Sequence, residues 1–438
     1  MKQRKAISMK GASYSMDLII RNAKLIDQAN LVDIAIKDGK FQDIRPKIDL
    51  ATKTEIDANG KLVSPPFVES HVHLDSALTA GNPRFNQSGT LLEGIEIWGE
   101  CKQHLTKDMI KEHAKITIKW LIANGVLRIR AHTDCSDPEL TSIQAILELK
   151  AELQELIDIQ VVAFPQNGIF TYDGMDQLLV EAVKMGADVI GGIPHIELTR
   201  EDGIKSIEYI FSLADKYDKL IDIHTDETGD EQSRFAEVIA KYAITYGMNQ
   251  RVTASHVTAM HNYHNDYAQK LISQIVRANM NIVTNPFSNA LLQNRLDGYP
   301  RRRGHTRVDE LLDSGVNVSI GNDNIMDPFN PMGKGNMLQA AHFLLHIAHL
   351  SGHQQIKQLF AMITEHGAKT LHDQHYGIKP GQQADCIILD AKSEQEAIRL
   401  TSECLYVIRK GNIIAETKPA NRKVYIDHEA VPVDFKLR

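Results

Sequence analysis

Leu62-Val63-Ser64-Pro65-Pro66-Phe67-Val68-Glu69-Ser70-His71-Val72-His73-Leu74-Asp75 is an apolar run that ends in two histidines one residue apart. If the run is a strand, side chains two apart point to the same side. Both imidazoles then project together from its carboxyl end, which is where parallel α/β barrels place their chemistry. Two histidines held by one strand make half of a transition-metal site. The rest of the chain has to supply the barrel and the other half.

Residues 63–380 alternate short β-rich runs with longer amphipathic stretches. Strands are predicted at 126–132, 157–165, 187–193, 220–224, 251–256, 281–285 and 316–321, with helices such as 140–156 and 201–217 between them. The opening run makes eight, the strand count of a (β/α)8 TIM barrel. Residues 16–62 and 381–438 have a different texture, with strand-like runs at 18–26, 32–36, 384–390 and 404–414 and a turn at Lys37-Asp38-Gly39-Lys40. Neither end has enough apolar surface for a core of its own. The two are expected to pair into one small β-sandwich flanking the catalytic barrel at 63–380. Residues 1–15 read as a disordered extension.

Composition narrows the function classes. A chain of 438 residues with 43% hydrophobic and 24% charged residues is ordinary for a globular protein. A net charge of −7 gives no general attraction to nucleic acid or to an anionic membrane. No apolar run is long enough to span a bilayer. The basic start Met1-Lys2-Gln3-Arg4-Lys5 is not followed by a secretory apolar core. Cys101, Cys135, Cys386 and Cys404 are scattered without a CxxC pair, which argues against a disulfide framework or an all-cysteine zinc site. A cytoplasmic enzyme with a small-molecule substrate is expected.

Polar residues recur where the predicted strands run out. The third ends in Phe164-Pro165-Gln166, the fifth in His224-Thr225-Asp226-Glu227, the sixth in His256 and the eighth in Asn322-Asp323-Asn324. His71, His73, His224 and Asp323 make a mixed nitrogen and oxygen set for one divalent metal, and a position left open for water makes such a site catalytic. Bound metal lowers the pKa of that water. Glu227, three residues past His224, can reach toward a substrate and carry protons. His256 can steady charge at the attacked carbon. The fourth strand ends Ile193-Pro194-His195, with no lysine to bridge a second metal. Taken singly, each residue has a plainer reading: a histidine is usually structural, Asp323 could cap a helix and Gln166 could satisfy a turn. Convergence of four strand ends on one mouth is what makes coincidence improbable. His342, His346 and His349 have helical spacing but lack the glutamate of His-Glu-x-x-His, and read as a packed barrel helix. His195-Ile196-Glu197 is not followed by Pro-Cys-x-x-Cys, so the small zinc deaminase fold is rejected.

These residues carry a resemblance to the amidohydrolase superfamily, and within it to the bacterial cytosine deaminase branch. It runs through Pro65–Asp75, Asn86-Gln87-Ser88-Gly89-Thr90-Leu91-Leu92-Glu93-Gly94-Ile95-Glu96, Val162-Ala163-Phe164-Pro165-Gln166, Asp230–Phe235 and Thr253–His261. The resemblance implies a homo-oligomeric enzyme with one Fe2+ or Zn2+ that converts the nucleobase cytosine to uracil and ammonia, as in pyrimidine salvage. It also implies that His71, His73, His224 and Asp323 are the ligands. Glu227 matches the residue that carries a proton from water to the ring nitrogen, and His256 the histidine beside the attacking oxygen. Gln166 matches the amide that reads the ring carbonyl and adjacent nitrogen, a contact the wrong ring would leave unpaired. Phe164 is expected to wall the ring. Two positions depart from the branch: Asn324 stands where a second aspartate is expected, and Phe329 where a tryptophan is expected. These changes open the pocket to related rings, namely 5-methylcytosine, isoguanine, isocytosine or an aminotriazine. A binding-only barrel would have lost a ligand or Glu227, and a cyclic-amide hydrolase normally needs the missing lysine.

Overall fold

A computed structural model describes residues 15–171 and 173–436. Its centre is a parallel sheet whose strands pair in chain order: Phe67–Val72, Val126–Asp134, Asp158–Phe164, Val189–Gly192, Leu220–Thr225, Val252–His256, Asn281–Thr284 and Asn317–Ile320. A parallel bridge between Val72 and Asp323 joins the last strand to the first. The fold is therefore the (β/α)8 barrel that the alternating pattern predicts. Helices such as Thr141–Glu152 and Arg200–Tyr217 cover the outside. Strands covered on both faces read as nearly continuous apolar runs, and every residue of Val126–Asp134 is buried.

The opening run differs from its prediction as one strand. It is two strands, Leu62–Ser64 and Phe67–Val72, broken at Pro65-Pro66. Proline has no N–H to give a ladder, so the pair ends one sheet and lets the next begin. Leu62–Ser64 belongs to the flanking sheet, where it pairs with Cys386–Leu389. That sheet joins both ends of the chain: Met16–Leu25 pairs with Val32–Lys37, Thr52–Asp57 and Leu62–Ser64, and Cys386–Leu389 leads on to Cys404–Arg409. Leu18, Ile20, Ile34, Ile36, Ile388 and Ile408 bury together in one core. The hairpin Lys423–Ile426 with Glu429–Pro432 forms a separate two-stranded sheet. The extension expected over 1–15 lies outside the described residues except for Ser15. Among the described residues no helix is long and apolar enough to cross a membrane.

The barrel closes on a tight seam. His73 N donates to Asp323 O at 2.8 Å and Asp323 N donates to His71 O at 2.8 Å. The buried Glu69 carboxylate accepts from Asn322 N at 2.9 Å and Asn322 Nδ2 at 2.6 Å. A Cβ on Gly321 would sit 2.6 Å from His71 O and 2.5 Å from Asn285 Oδ1. The His71 carbonyl is held by its bond from Asp323 N, so Gly321→Ala should cost about 1–3 kcal/mol of stability through overpacking. Thermal denaturation should show the melting temperature falling by several degrees; an unchanged melt would mean that the seam relaxes around a methyl group.

Candidate metal centre and active site

Three strand ends deliver the candidate ligands to one point. His71 Nε2 and His73 Nε2 lie 3.3 and 3.4 Å from Asp323 Oδ1, and His73 Nε2 lies 3.2 Å from His224 Nε2. Donors about 2.1 Å from one tetrahedral ion sit about 3.4 Å from one another. All four residues are buried, and His71 Nε2 has no hydrogen-bond partner. Two imidazole nitrogens facing each other need a proton or a cation between them. The donor set therefore fits one divalent transition metal. His71, His224, His256 and Asp323 also offer ligand atoms within 4.8 Å of one another, so His256 stands beside the same point. Burial pushes the pKa of His71 down to about 4 and that of His256 down to about 3. Both rings are thus neutral, the form that binds metals.

The turns that present these groups are strained. Asp226, His256 and Asp323 have φ of 48°, 71° and 64°, left-handed backbone that is costly for residues other than glycine. Hydrogen bonds hold the turns in place. Asp226 accepts from the N–H groups of Phe235 and Ala236, both at 2.9 Å, and Asn289 Nδ2 donates to His256 Nδ1 at 2.9 Å. The latter bond leaves the His256 ring proton on Nε2.

Glu227 is also buried, with Oε1 3.5 Å from His256 Nδ1 and 3.4 Å from Gln293 Nε2. Burial, reinforced by the charge of Asp323, raises its pKa well above the ordinary carboxylate range. A carboxyl that holds its proton more tightly is suited to carry one. Glu227 faces a small chamber of about 20 Å3 together with His73, Gln166, Asp323, Asn324 and Phe329. Leu91, Glu227 and Leu292 also line a neighbouring cleft of about 860 Å3.

Gln166, Asn324 and Phe329 line that chamber. Phe164, expected to wall the ring, is fully buried and stacks on the candidate ligand His224, centroids 4.0 Å apart at 17°. The Asn324 amide is committed at both ends, accepting from Ser288 Oγ at 2.9 Å and donating to Asp327 Oδ2 at 2.7 Å. Phe329 lies over Gly94, where a Cβ would come within 2.6 Å of its ring.

Sequence reading passed over several neighbours. His132 lies two residues before the end of the second strand, stacks on His71 at 3.7 Å and has no hydrogen-bond partner at either ring nitrogen. Asn285 follows the seventh strand and approaches His256 at 3.3 Å. Both stand near strand ends, the signal that marked the ligands. Gln293 and Asn289 carry no such signal. Elsewhere, His342 is bonded at Nδ1 to Ile398 O at 3.1 Å, and Glu197 accepts from Ile169 N at 2.6 Å and Phe170 N at 3.0 Å. Both motifs that were set aside have structural partners.

A metal-ready cluster at the carboxyl mouth of such a barrel defines a class, and the chain belongs to the amidohydrolase family, which it matches over residues 102–415. It is a hydrolase that acts on C–N bonds. Among solved structures it is similar to 5-methylcytosine deaminase from Klebsiella pneumoniae liganded with phosphonocytosine: 42% identity, TM-score 0.90, covering 92% of this chain and 99% of that one. It is 32% identical to N-isopropylammelide isopropyl amidohydrolase of Pseudomonas sp. (strain ADP), over 92% of this chain and 98% of the relative. It is 25% identical to pterin deaminase of Rhizobium rhizogenes (strain K84 / ATCC BAA-868), over 90% of each.

His71→Ala removes a donor whose Nε2 has no hydrogen-bond partner among the described residues. Elemental analysis of the purified variant should show metal content well below one equivalent; full occupancy would take His71 out of the ligand set.

Proposed function

We propose that the protein hydrolyses the ring amino group of 5-methylcytosine, releasing ammonia and leaving a ring carbonyl, with cytosine as a second substrate. One observation carries this reading: Glu227 and Gln166 face the same small chamber as the ligands His73, His224 and Asp323. A proton carrier, an amide able to read a ring edge and a metal-ready cluster are what deamination of a small heterocycle needs. Similarity at 42% identity to a 5-methylcytosine deaminase along nearly the whole chain supports the choice of ring. So does Phe329, which with Leu91, Ile193 and Leu292 gives the chamber apolar walls suited to a methyl group.

His71, His73, His224 and Asp323 would hold the ion, and their donor set suits Fe2+ and Zn2+ alike. When bound, the ion supplies Lewis acidity that makes a water more acidic. The chain's own groups do the rest. Glu227 takes one proton from water and passes it to the ring nitrogen, then takes the second from the newly added hydroxyl and delivers it to the amine as the C–N bond breaks and the ring carbonyl forms. His256, with its proton on Nε2, donates toward the attacking oxygen. Gln166 hydrogen-bonds the ring carbonyl and its neighbouring nitrogen. Leu91 and Leu292, at the neck of the cleft, exclude bulk water. The balance is one water consumed and one ammonia released.

The cleft favours a second reading. Leu91, Leu92, Leu198, Leu292 and Leu296 give it an apolar side. An aminotriazine with an alkylamino substituent would bury that substituent there, as the resemblance to an N-isopropylammelide hydrolase suggests.

Ammonia release from metal-loaded protein should be measured across 5-methylcytosine, cytosine, isocytosine, isoguanine, a pterin and N-isopropylammelide. The highest kcat/KM is expected on 5-methylcytosine. Turnover of the triazine with none of either cytosine would overturn the ring assignment. Glu227→Gln should keep its metal and lose about 10²- to 10⁴-fold in kcat, the usual range for a proton carrier; near-normal turnover would remove Glu227 from that role.

A further inference from the structure

The site leaves unexplained a buried charge beneath it. Asp222 and Arg130 are fully buried in the barrel, on the fifth and second strands, with Arg130 Nη1 2.9 Å from Asp222 Oδ2. Replacing a buried ion pair with apolar groups is often neutral or stabilising, so stability alone is a weak reason for it. The other oxygen of Asp222 leads to the metal centre. Ser255 Oγ donates to Asp222 Oδ1 at 2.6 Å and lies 3.0 Å from His71 Nδ1. We propose that Ser255, Asp222 and Arg130 form a buried relay that fixes the tautomer of His71 and aims its Nε2 lone pair at the metal.

The argument is a count of protons. A serine hydroxyl has one, and here the carboxylate takes it. Toward His71 the hydroxyl can only accept, so the neutral imidazole must carry its proton on Nδ1. Nε2 is then a lone pair, and it is the buried nitrogen that no protein group satisfies. Arg130 makes the carboxylate tolerable in the interior. Its remaining N–H groups go to Thr253 Oγ1, Gln160 Oε1 and Thr370 O at 3.1, 3.0 and 2.8 Å. The negative charge, acting through the hydroxyl, also makes Nε2 a better donor, as carboxylates behind metal-bound histidines do. Ser255 is thus a positioning residue that acts through His71.

The proposal rests on His71 being a ligand, and the test separates the two claims. Zn2+ affinity of the full chain is measured by competition with a chromophoric chelator, for the natural protein and for Ser255→Ala, Ser255→Thr, Asp222→Asn and His71→Ala. Removing such a partner typically weakens affinity 10- to 100-fold. Ser255→Ala should show that loss, larger than the few degrees of metal-free melting temperature that Asp222 Oδ1 loses with its hydroxyl partner. Ser255→Thr, which keeps the hydroxyl, should recover most of it, and Asp222→Asn should weaken binding in the same direction. Ring 15N spectra of the metal-free protein should show His71 as the Nδ1–H form, and a mixture of tautomers in Ser255→Ala. Loss of binding in His71→Ala with Zn2+ affinity in Ser255→Ala within twofold of natural would overturn the relay alone. Natural affinity in His71→Ala would overturn the ligand assignment beneath it. Equal losses of affinity and of metal-free stability in Ser255→Ala, without recovery in Ser255→Thr, would reduce Ser255 to a packing role.

Discussion

The seam between the last and first barrel strands is the constraint on which the rest depends. The Val72–Asp323 bridge closes the sheet, and the flanking hydrogen bonds tie His71 and His73 to Asp323 through their backbones. Three candidate ligands are thereby placed by the same bonds that close the barrel. An incompletely closed barrel would have no metal site, and a well-formed site certifies closure. Glu69, bonded to Asn322 across the seam, and Gly321, too tightly packed for a side chain, serve closure and ligand placement together.

Electrostatics follow from that enclosure. His71, His224 and His256 are held neutral and Glu227 is held toward its protonated form, both chiefly by burial. The mouth pairs donors that must be neutral with a carboxyl that must exchange a proton, and one dry environment favours both. The cost is strained backbone at Asp226, His256 and Asp323. The barrel core and the hydrogen bonds from Phe235, Ala236 and Asn289 offset it.

The barrel was legible in the chain because parallel strands covered on both faces leave apolar runs, and helices between them leave a 3.6-residue rhythm. The clustering of the candidate ligands was legible because strand ends converge. Other features were hidden for physical reasons. Pro65-Pro66 is a sheet boundary, but an apolar run on both sides of it masks the break. Phe164 and Gln166 lie two apart, yet whether a ring faces the chamber or stacks on His224 depends on packing between strands. Arg130 and Asp222 are 92 residues apart, and no periodicity reports that strands two and five meet across the barrel interior. His132 and Asn285 obeyed the strand-end rule and were legible to anyone applying it to every strand.

The two prolines after Leu62–Ser64 have a mechanical consequence. Each fixes its own φ, so the link between the flanking sheet and the strand bearing His71 is short and stiff. Leu62–Ser64 is clamped between Met16–Leu25 and Cys386–Leu389, strands from opposite ends of the chain. The flanking sheet is therefore a foundation rather than an ornament: it grips one end of a stiff link whose other end carries the candidate ligand His71. Residues 16–25 and 386–389 meet at the foot of that link, so the strand bearing His71 is clamped on both sides only once the chain has been made through Leu389.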